Sequence, residues 1–149
     1  MPTTSTRAVS DSRFIPASPS EVFALLADPS RHHEIDGSGM VQSSRNGSTT
    51  LTLGTRFGMD MKLGPLPYRM SSTVVEFEQD TLIAWAHFGR HRWRYQIEAA
   101  EGGCTVTETF DWSTARSPKF IELMSYPAKN LQAIVATLDR LEALFSTGA

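Results

Sequence analysis

Between positions 40 and 112 apolar and polar residues alternate with a period of two, the pattern of strands that bury one face and wet the other. Turn-forming groups interrupt the run at Asn46-Gly47, Gly64-Pro65-Leu66-Pro67, Gln79-Asp80, Gly89-Arg90 and Glu101-Gly102-Gly103. Short segments joined by tight turns pair with their neighbours, so an antiparallel meander of about six strands is expected. A helical pattern then runs from about 118 to 145, with Phe120, Met124, Leu131, Val135, Leu138 and Phe145 near one face. Pro127 lies inside it; having no amide hydrogen and crowding the preceding turn, it should kink the helix.

Upstream, residues 9–15 read as a further strand stopped by Pro16. Ser18-Pro19-Ser20-Glu21 then opens a helix: Ser18 can cap, Pro19 suits the first helical position, and Glu21 stands three after the cap. Val22, Leu25 and Leu26, with Phe23 beside them, form its apolar side. Asp28-Pro29 ends that helix, Pro29 can start a second short one through Ile35, and Gly37-Ser38-Gly39 breaks the chain. The two small helices cannot cover so long a sheet, which leaves the C-terminal helix to do it. The expected fold is α+β: a curved antiparallel sheet of about seven strands that grips a long kinked helix, with two short helices beside it.

The 149 residues carry 14 Lys and Arg against 16 Asp and Glu, a net charge of −2 with a pI near 6.1. That balance lacks the clustered positive charge through which nucleic-acid binders neutralise phosphates, so nucleic acid is not expected as a partner. The length suits a single domain over 1–149, with 1–8 expected to be flexible. Cys104 is the single cysteine, which rules out an internal disulfide and an all-cysteine metal site. No apolar run reaches the ~18 residues of a membrane span, and the polar N-terminus lacks the apolar core of a signal peptide, so a cytoplasmic location without membrane insertion is expected.

Four segments carry a resemblance: ASPSEVFALLADP at 17–29, EIDGSG at 34–39, HRWRY at 91–95 and TVTETFDW at 105–112. With them the span from 14 to about 145 resembles the START-like superfamily, also called SRPBCC or birch-pollen-allergen-like, and within it the polyketide cyclase/dehydrase branch. The first segment marks the superfamily; the others resemble a bacterial subgroup whose members are mostly of unassigned function. The resemblance implies a helix-grip fold with a cavity between sheet and long helix, a place used elsewhere for lipids, hormones and polyketides. It implies no single reaction.

Strand parity nominates the residues facing that cavity. A two-residue turn at Glu101-Gly102 pairs Ile97 with Val106, Tyr95 with Glu108, Trp93 with Phe110 and His91 with Trp112, and opposed residues share a face. A two-residue turn at Gly89-Arg90 pairs Phe88 with His91, Ala86 with Trp93, Ala84 with Tyr95 and Leu82 with Ile97. These sets are apolar and should point inward, leaving Arg92, Arg94, Gln96 and Glu98 in water. Leu51, Leu53, Phe57, Met59, Met61 and Leu63 form another inward row. A two-residue turn at Gln79-Asp80 adds Phe77, Val75, Thr73, Ser71 and Arg69.

The expected ligand contacts are therefore Phe57, Met59, Met61, Ser71, Thr73, Trp93, Tyr95, Glu108, Phe110, Trp112, Met124 and Leu131, an apolar wall with a few polar groups to orient a small molecule. Glu108 and His91 are the candidates for acid or base chemistry, a buried carboxyl because desolvation disfavours its charge, an imidazole because it titrates near neutrality. His32-His33-Glu34 lacks the i, i+4 spacing of a helical ligand pair and reads as a solvated helix end. His87 and His91 fall on opposite faces under the two-residue register and cannot share a metal. Gly37-Ser38-Gly39 is neither a dinucleotide loop nor a nucleophile elbow, and Cys104 lacks the charged neighbours of a reactive thiol. No metal and no cofactor are expected. The leading expectation is binding of a hydrophobic or aromatic small molecule. A cyclase or dehydratase using Glu108 or His91 is the alternative, and a module that homodimerises through a sheet edge is a third.

Overall fold

The structure is a computed structural model and describes residues 7–37, 41–44 and 50–146. Residues 1–6, the Asn46-Gly47 turn and Ser38-Gly39 lie outside the described residues. Strand β1 (Ala8–Ile15) leads to helix α1 (Pro19–Leu26) and a 3₁₀ helix over Pro29–Glu34. Six strands follow: β2 (Val41–Ser44), β3 (Arg56–Leu63), β4 (Leu66–Glu78), β5 (Leu82–Ala86), β6 (Arg92–Ala100) and β7 (Gly103–Asp111). Helices α2 (Pro118–Leu123) and α3 (Tyr126–Ser146) close the chain. The sheet is seven-stranded, in the order β1-β7-β6-β5-β4-β3-β2, with every pair antiparallel. The meander and the helix-grip arrangement expected from the sequence are thus present. Among the described residues no helix is long and apolar enough to cross a membrane.

Local chemistry accounts for the start of the chain. Ser18 Oγ accepts the Glu21 amide at 3.2 Å while the Glu21 carboxylate takes the Ser18 amide, a reciprocal cap, and Pro19 occupies the first turn. Asp28 caps the 3₁₀ helix by accepting the Ser30 amide at 3.0 Å. Of the residues expected to be flexible, Arg7 and Ala8 are held: the Arg7 carbonyl accepts the Trp112 amide and Ala8 pairs with Asp111.

The C-terminal helix departs from expectation. The break falls before Pro127: α2 ends at Leu123, Ser125 takes the left-handed conformation at φ 60°, and Pro127 sits in the first turn of α3, where a missing amide costs no helical bond. The break also rotates the buried face. Ile134, Thr137, Leu138 and Leu141 are buried, whereas Phe120, Met124 and Val135 are 52%, 42% and 38% exposed. Helix α3 packs over β1 and β7, and Arg13 on β1 ties it down through Asp139 at 2.6 Å and Glu142 at 2.9 Å.

Two registers also differ. His87, Phe88, Gly89 and Arg90 form a turn closed by the Arg90 amide on the His87 carbonyl, with Arg90 at φ 65°, so the loop holds three residues and not two. The slip by one brings Trp85 opposite Trp93 and Ile83 opposite Tyr95; Ile83 and Trp85 take the inward places expected for Leu82, Ala84 and Ala86, and Phe88 is 84% exposed. The same shift puts His87 on the face of His91, their rings 5.6 Å apart, against the expectation of opposite faces. On β4 a bulge between Val74 and Glu76 reverses the strand's parity: Phe77 still faces in, but beyond the bulge Val74 and Ser72 do so in place of Val75, Thr73, Ser71 and Arg69. Gly54, at φ 84°, turns the chain just before β3 and leaves Leu53 63% exposed, outside the inward row. Leu63, at the far end of β3, is also exposed.

Candidate functional site

The β6–β7 register stands as expected, and it builds the site. Tyr95 on β6 lies directly across from Glu108 on β7, and Asp11 on β1 lies across from Glu108 on the other side. Glu108 is 3% and Tyr95 6% exposed, so the pair sits on the buried face of the sheet. Trp93 and Phe110 are paired one step along, their rings 4.9 Å apart, and Trp112 stacks on Phe110 at 5.5 Å. Trp85 approaches Tyr95 at 5.6 Å and meets Phe57 edge-on at 5.7 Å. Carboxyl and phenol are thus set in an aromatic wall.

The electrostatics follow from that burial. Loss of water is the largest influence on Glu108 and pushes its carboxyl up to about 8; a hydrogen bond with the Tyr95 side chain opposes the rise, and the Asp36 carboxylate adds to it. The Tyr95 phenol is raised well above its ordinary value by burial and then by the Glu108 charge. Glu108 Oε1 has no hydrogen-bond partner among the described residues. A buried polar atom left unpaired costs about 1–3 kcal/mol, and among the described residues Glu108 Oε1 shares that condition only with His91 Nδ1.

A second polar cluster lies on the same face, at the β5–β6 turn. The Ser72 hydroxyl shares a hydrogen bond with His87 Nδ1, and His91 packs between His87 and Phe110, its own Nδ1 unpartnered. Burial, with His91 adding to it, drives the His87 imidazole down to about 4, and burial lowers His91 as well. Both rings are neutral at pH 7. His32, expected at a solvated helix end, is instead 8% exposed; its Nε2–H donates to the Leu26 carbonyl at 2.8 Å and its ring stacks on Trp85 at 4.8 Å. His33 and Glu34 are exposed as expected.

Of the expected contacts, Phe57, Met59, Met61, Trp93, Tyr95, Glu108, Phe110 and Trp112 lie on the inner face. Ser71 and Thr73 do not, because of the β4 bulge, and Met124 stands exposed at the end of α2. Leu131 is half-buried on α3. The structure adds Trp85, Ser72, His87 and Asp36. The signal for Trp85 and His87 was present: a three-residue hairpin with Arg90 in the left-handed region aligns Trp85 with Trp93. Asp36 is placed by Gly37, whose amide donates to Thr137 Oγ1 at 2.9 Å and whose Cα faces the α3 backbone so closely that a Cβ would stand 2.4 Å from the Ala133 carbonyl. Only glycine fits there.

On the opposite face an open depression of about 390 Å³ is lined by Glu78, Thr81, Gln96, Glu98, Thr105 and Thr107, among others. It is polar and open to solvent and contains no buried titratable group, so the chemistry points to the inner face instead.

Residues 6–146 match the family model described as polyketide cyclase / dehydrase and lipid transport. The uncharacterized protein Rv0088 of Mycobacterium tuberculosis is 39% identical over 145 residues, an alignment that covers 94% of this chain; the chain spans 65% of that relative's length. Among solved structures, a Rhodobacter sphaeroides protein superimposes with a TM-score of 0.75 at 13% identity, covering 99% of this chain and 97% of its own. The polyketide-cyclase-like protein Cgl2372 of Corynebacterium glutamicum does so with a TM-score of 0.62 at 19% identity over 93% and 91% of the two chains. At such identities these structures speak for the fold alone. The sheet that grips α3, together with the family match across nearly the whole chain, makes this protein a member of the polyketide cyclase / dehydrase and lipid transport family.

Proposed function

We propose that the protein binds a hydrophobic or aromatic small molecule against the inner face of its sheet, beneath α3, with Tyr95 and Glu108 orienting it. The observation that carries this reading is the Glu108 carboxyl, buried beside Trp93 and Phe110 with one oxygen unpaired. A side chain evolved only to fill a core has no reason to be a carboxyl there, because an apolar residue of like volume avoids the desolvation cost. An apolar wall with a few oriented polar groups is the composition of a small-molecule site, and covering ligand surface supplies affinity at about 25 cal/mol per Å² before ordering costs. The family's description, with its polyketides and lipids, is compatible with such ligands.

The test is a tryptophan-fluorescence titration with the neutral probe N-phenyl-1-naphthylamine. The expected result is a saturable change at one equivalent that is reduced in Trp93→Phe. A response that never saturates, or one that Trp93→Phe leaves untouched, would refute the reading.

A second reading rests on the raised Glu108 pKa. A carboxyl held protonated near neutrality is a competent general acid, so a cyclisation or dehydration in which Glu108 delivers a proton to a ketone oxygen is the enzymatic form of the same site. Turnover of a polyketone that is lost in Glu108→Gln would support it.

A further inference from the structure

The charges around Glu108 can be counted element by element, and they specify more than an apolar ligand. Strand β1 brings Asp11 across from it, β6 brings Tyr95, and the Asp36 carboxylate acts on it from the segment after the 3₁₀ helix. Helix α3 presents Ile134, Thr137, Leu138 and Leu141 as its buried side. Cations near this region are committed elsewhere. Arg13 is held by Asp139 and Glu142, and Arg140 donates to the Asp36 carbonyl. None contributes to the electrostatics of Glu108. His32, His87 and His91 are kept neutral at pH 7 by burial. Among the described residues the inner face therefore offers acceptors, carboxylates and the π-faces of Trp85, Trp93, Tyr95 and Phe110, and no cation is among the groups that act on Glu108.

Resting on the ligand-binding reading above, we infer that the bound molecule carries a basic nitrogen: an aromatic or alkyl ammonium that donates to Glu108 Oε1 and lies against the Trp93–Phe110 wall. Rings attract such a cation through their quadrupoles, and a charge-assisted hydrogen bond to a carboxylate is about twice as strong as a neutral one. A neutral carbonyl ligand would gain nothing from the Asp36 charge and would need Glu108 to stay a donor. Without ligand the carboxyl keeps its proton near neutrality, burial being the first cause and the Asp36 charge adding to it. Binding exchanges that proton for the cation: the carboxyl loses H⁺ to solvent, and the carboxylate so formed pairs with R–NH₃⁺, which keeps its own protons and charge.

The experiment compares two probes of nearly identical shape, 2-(aminomethyl)naphthalene and 2-(hydroxymethyl)naphthalene, by titration calorimetry at pH 7 in phosphate and in Tris. The amine is expected to bind about tenfold more tightly than the alcohol, with release of close to one proton per site. Glu108→Gln should bring the ratio of the two affinities close to one, and Asp36→Asn should reduce it about threefold. If the alcohol binds the wild type as tightly as the amine, or the amine binds with no proton release, the nitrogen inference is wrong while the small-molecule site stands. If neither probe saturates, both fall together.

Discussion

Glu76 and Glu108 lie on the same sheet and face opposite ways, and their surroundings could hardly differ more. On the outer face Glu76 receives Arg92 at 2.7 Å and both the Nε and Nη2 of Arg94 at 2.8 Å, and Arg94 reaches on to Asp111 at 3.1 Å. Those guanidinium hydrogen bonds hold the Glu76 carboxyl below its ordinary value against the pull of burial. On the inner face Glu108 has the Tyr95 phenol, Asp11 across the strand pair and the Asp36 charge, with no cation among the described residues acting on it, and its carboxyl is pushed upward. The same sheet thus places arginines around one carboxylate and, among the described residues, none around the other. The outer acid is satisfied within the fold, whereas the inner one keeps an unpaired oxygen, which the proposed ligand would meet. His32 is the control within the interior, a buried polar side chain whose need is met by the Leu26 carbonyl.

Three substitutions sharpen that contrast. The largest effect is expected at the satisfied interior group: His32→Ala removes the stack on Trp85 and the bond to Leu26, and should cost about 3 kcal/mol in denaturant unfolding with no change in probe affinity. A cost below about 1 kcal/mol would mean His32 is not the structural member of the comparison.

Next comes the pH dependence of stability. Glu108 titrates near 8 when folded and near 4.5 when unfolded, so between those values the folded state holds a proton that the unfolded state does not. Stability therefore falls as pH rises through this window and levels off above it. His87 has the opposite sign: its folded value of about 4 lies below 6.5, so its contribution is lost as pH falls below 6.5. The stretch from about pH 6.5 to 8 therefore belongs to Glu108 alone among these groups, with a loss of about 1–2 kcal/mol expected in wild type and a flat profile in Glu108→Gln. A flat wild-type profile would place the Glu108 carboxylate in contact with water.

The smallest effect is expected on the outer face. Glu76→Gln should cost about 1 kcal/mol, because water reaches one edge of the network, and the loss should shrink in high salt. An effect exceeding that of His32→Ala would reverse the order of the two faces.

Much of this arrangement was legible in the sequence because turns and alternation act locally. The Glu101-Gly102 turn alone placed Tyr95 against Glu108 and Trp93 against Phe110, and the Ser18 to Glu21 cap set α1. The failures came from single-residue events that alternation does not register. One left-handed residue, Arg90, exchanged Ala84 and Ala86 for Ile83 and Trp85 on the inner face, and one bulge after Val74 exchanged Ser71 and Thr73 for Ser72. Ser125 broke the last helix before Pro127 because a left-handed residue there lets the proline fall in a first turn. Nothing local in the sequence marks Asp36, because its influence on Glu108 depends on Gly37 docking against α3 about 100 residues away in sequence.

Methyl NMR of the methionines during titration with 2-(aminomethyl)naphthalene tests the central claim most directly, since Met59 and Met61 lie on the inner face and Met124 is exposed on α2. The Met59 and Met61 methyls and the Trp93 indole are expected to shift together and saturate at one equivalent while Met124 stays still. Shifts confined to Met124, or an inner face that remains unperturbed at saturating probe, would contradict that claim.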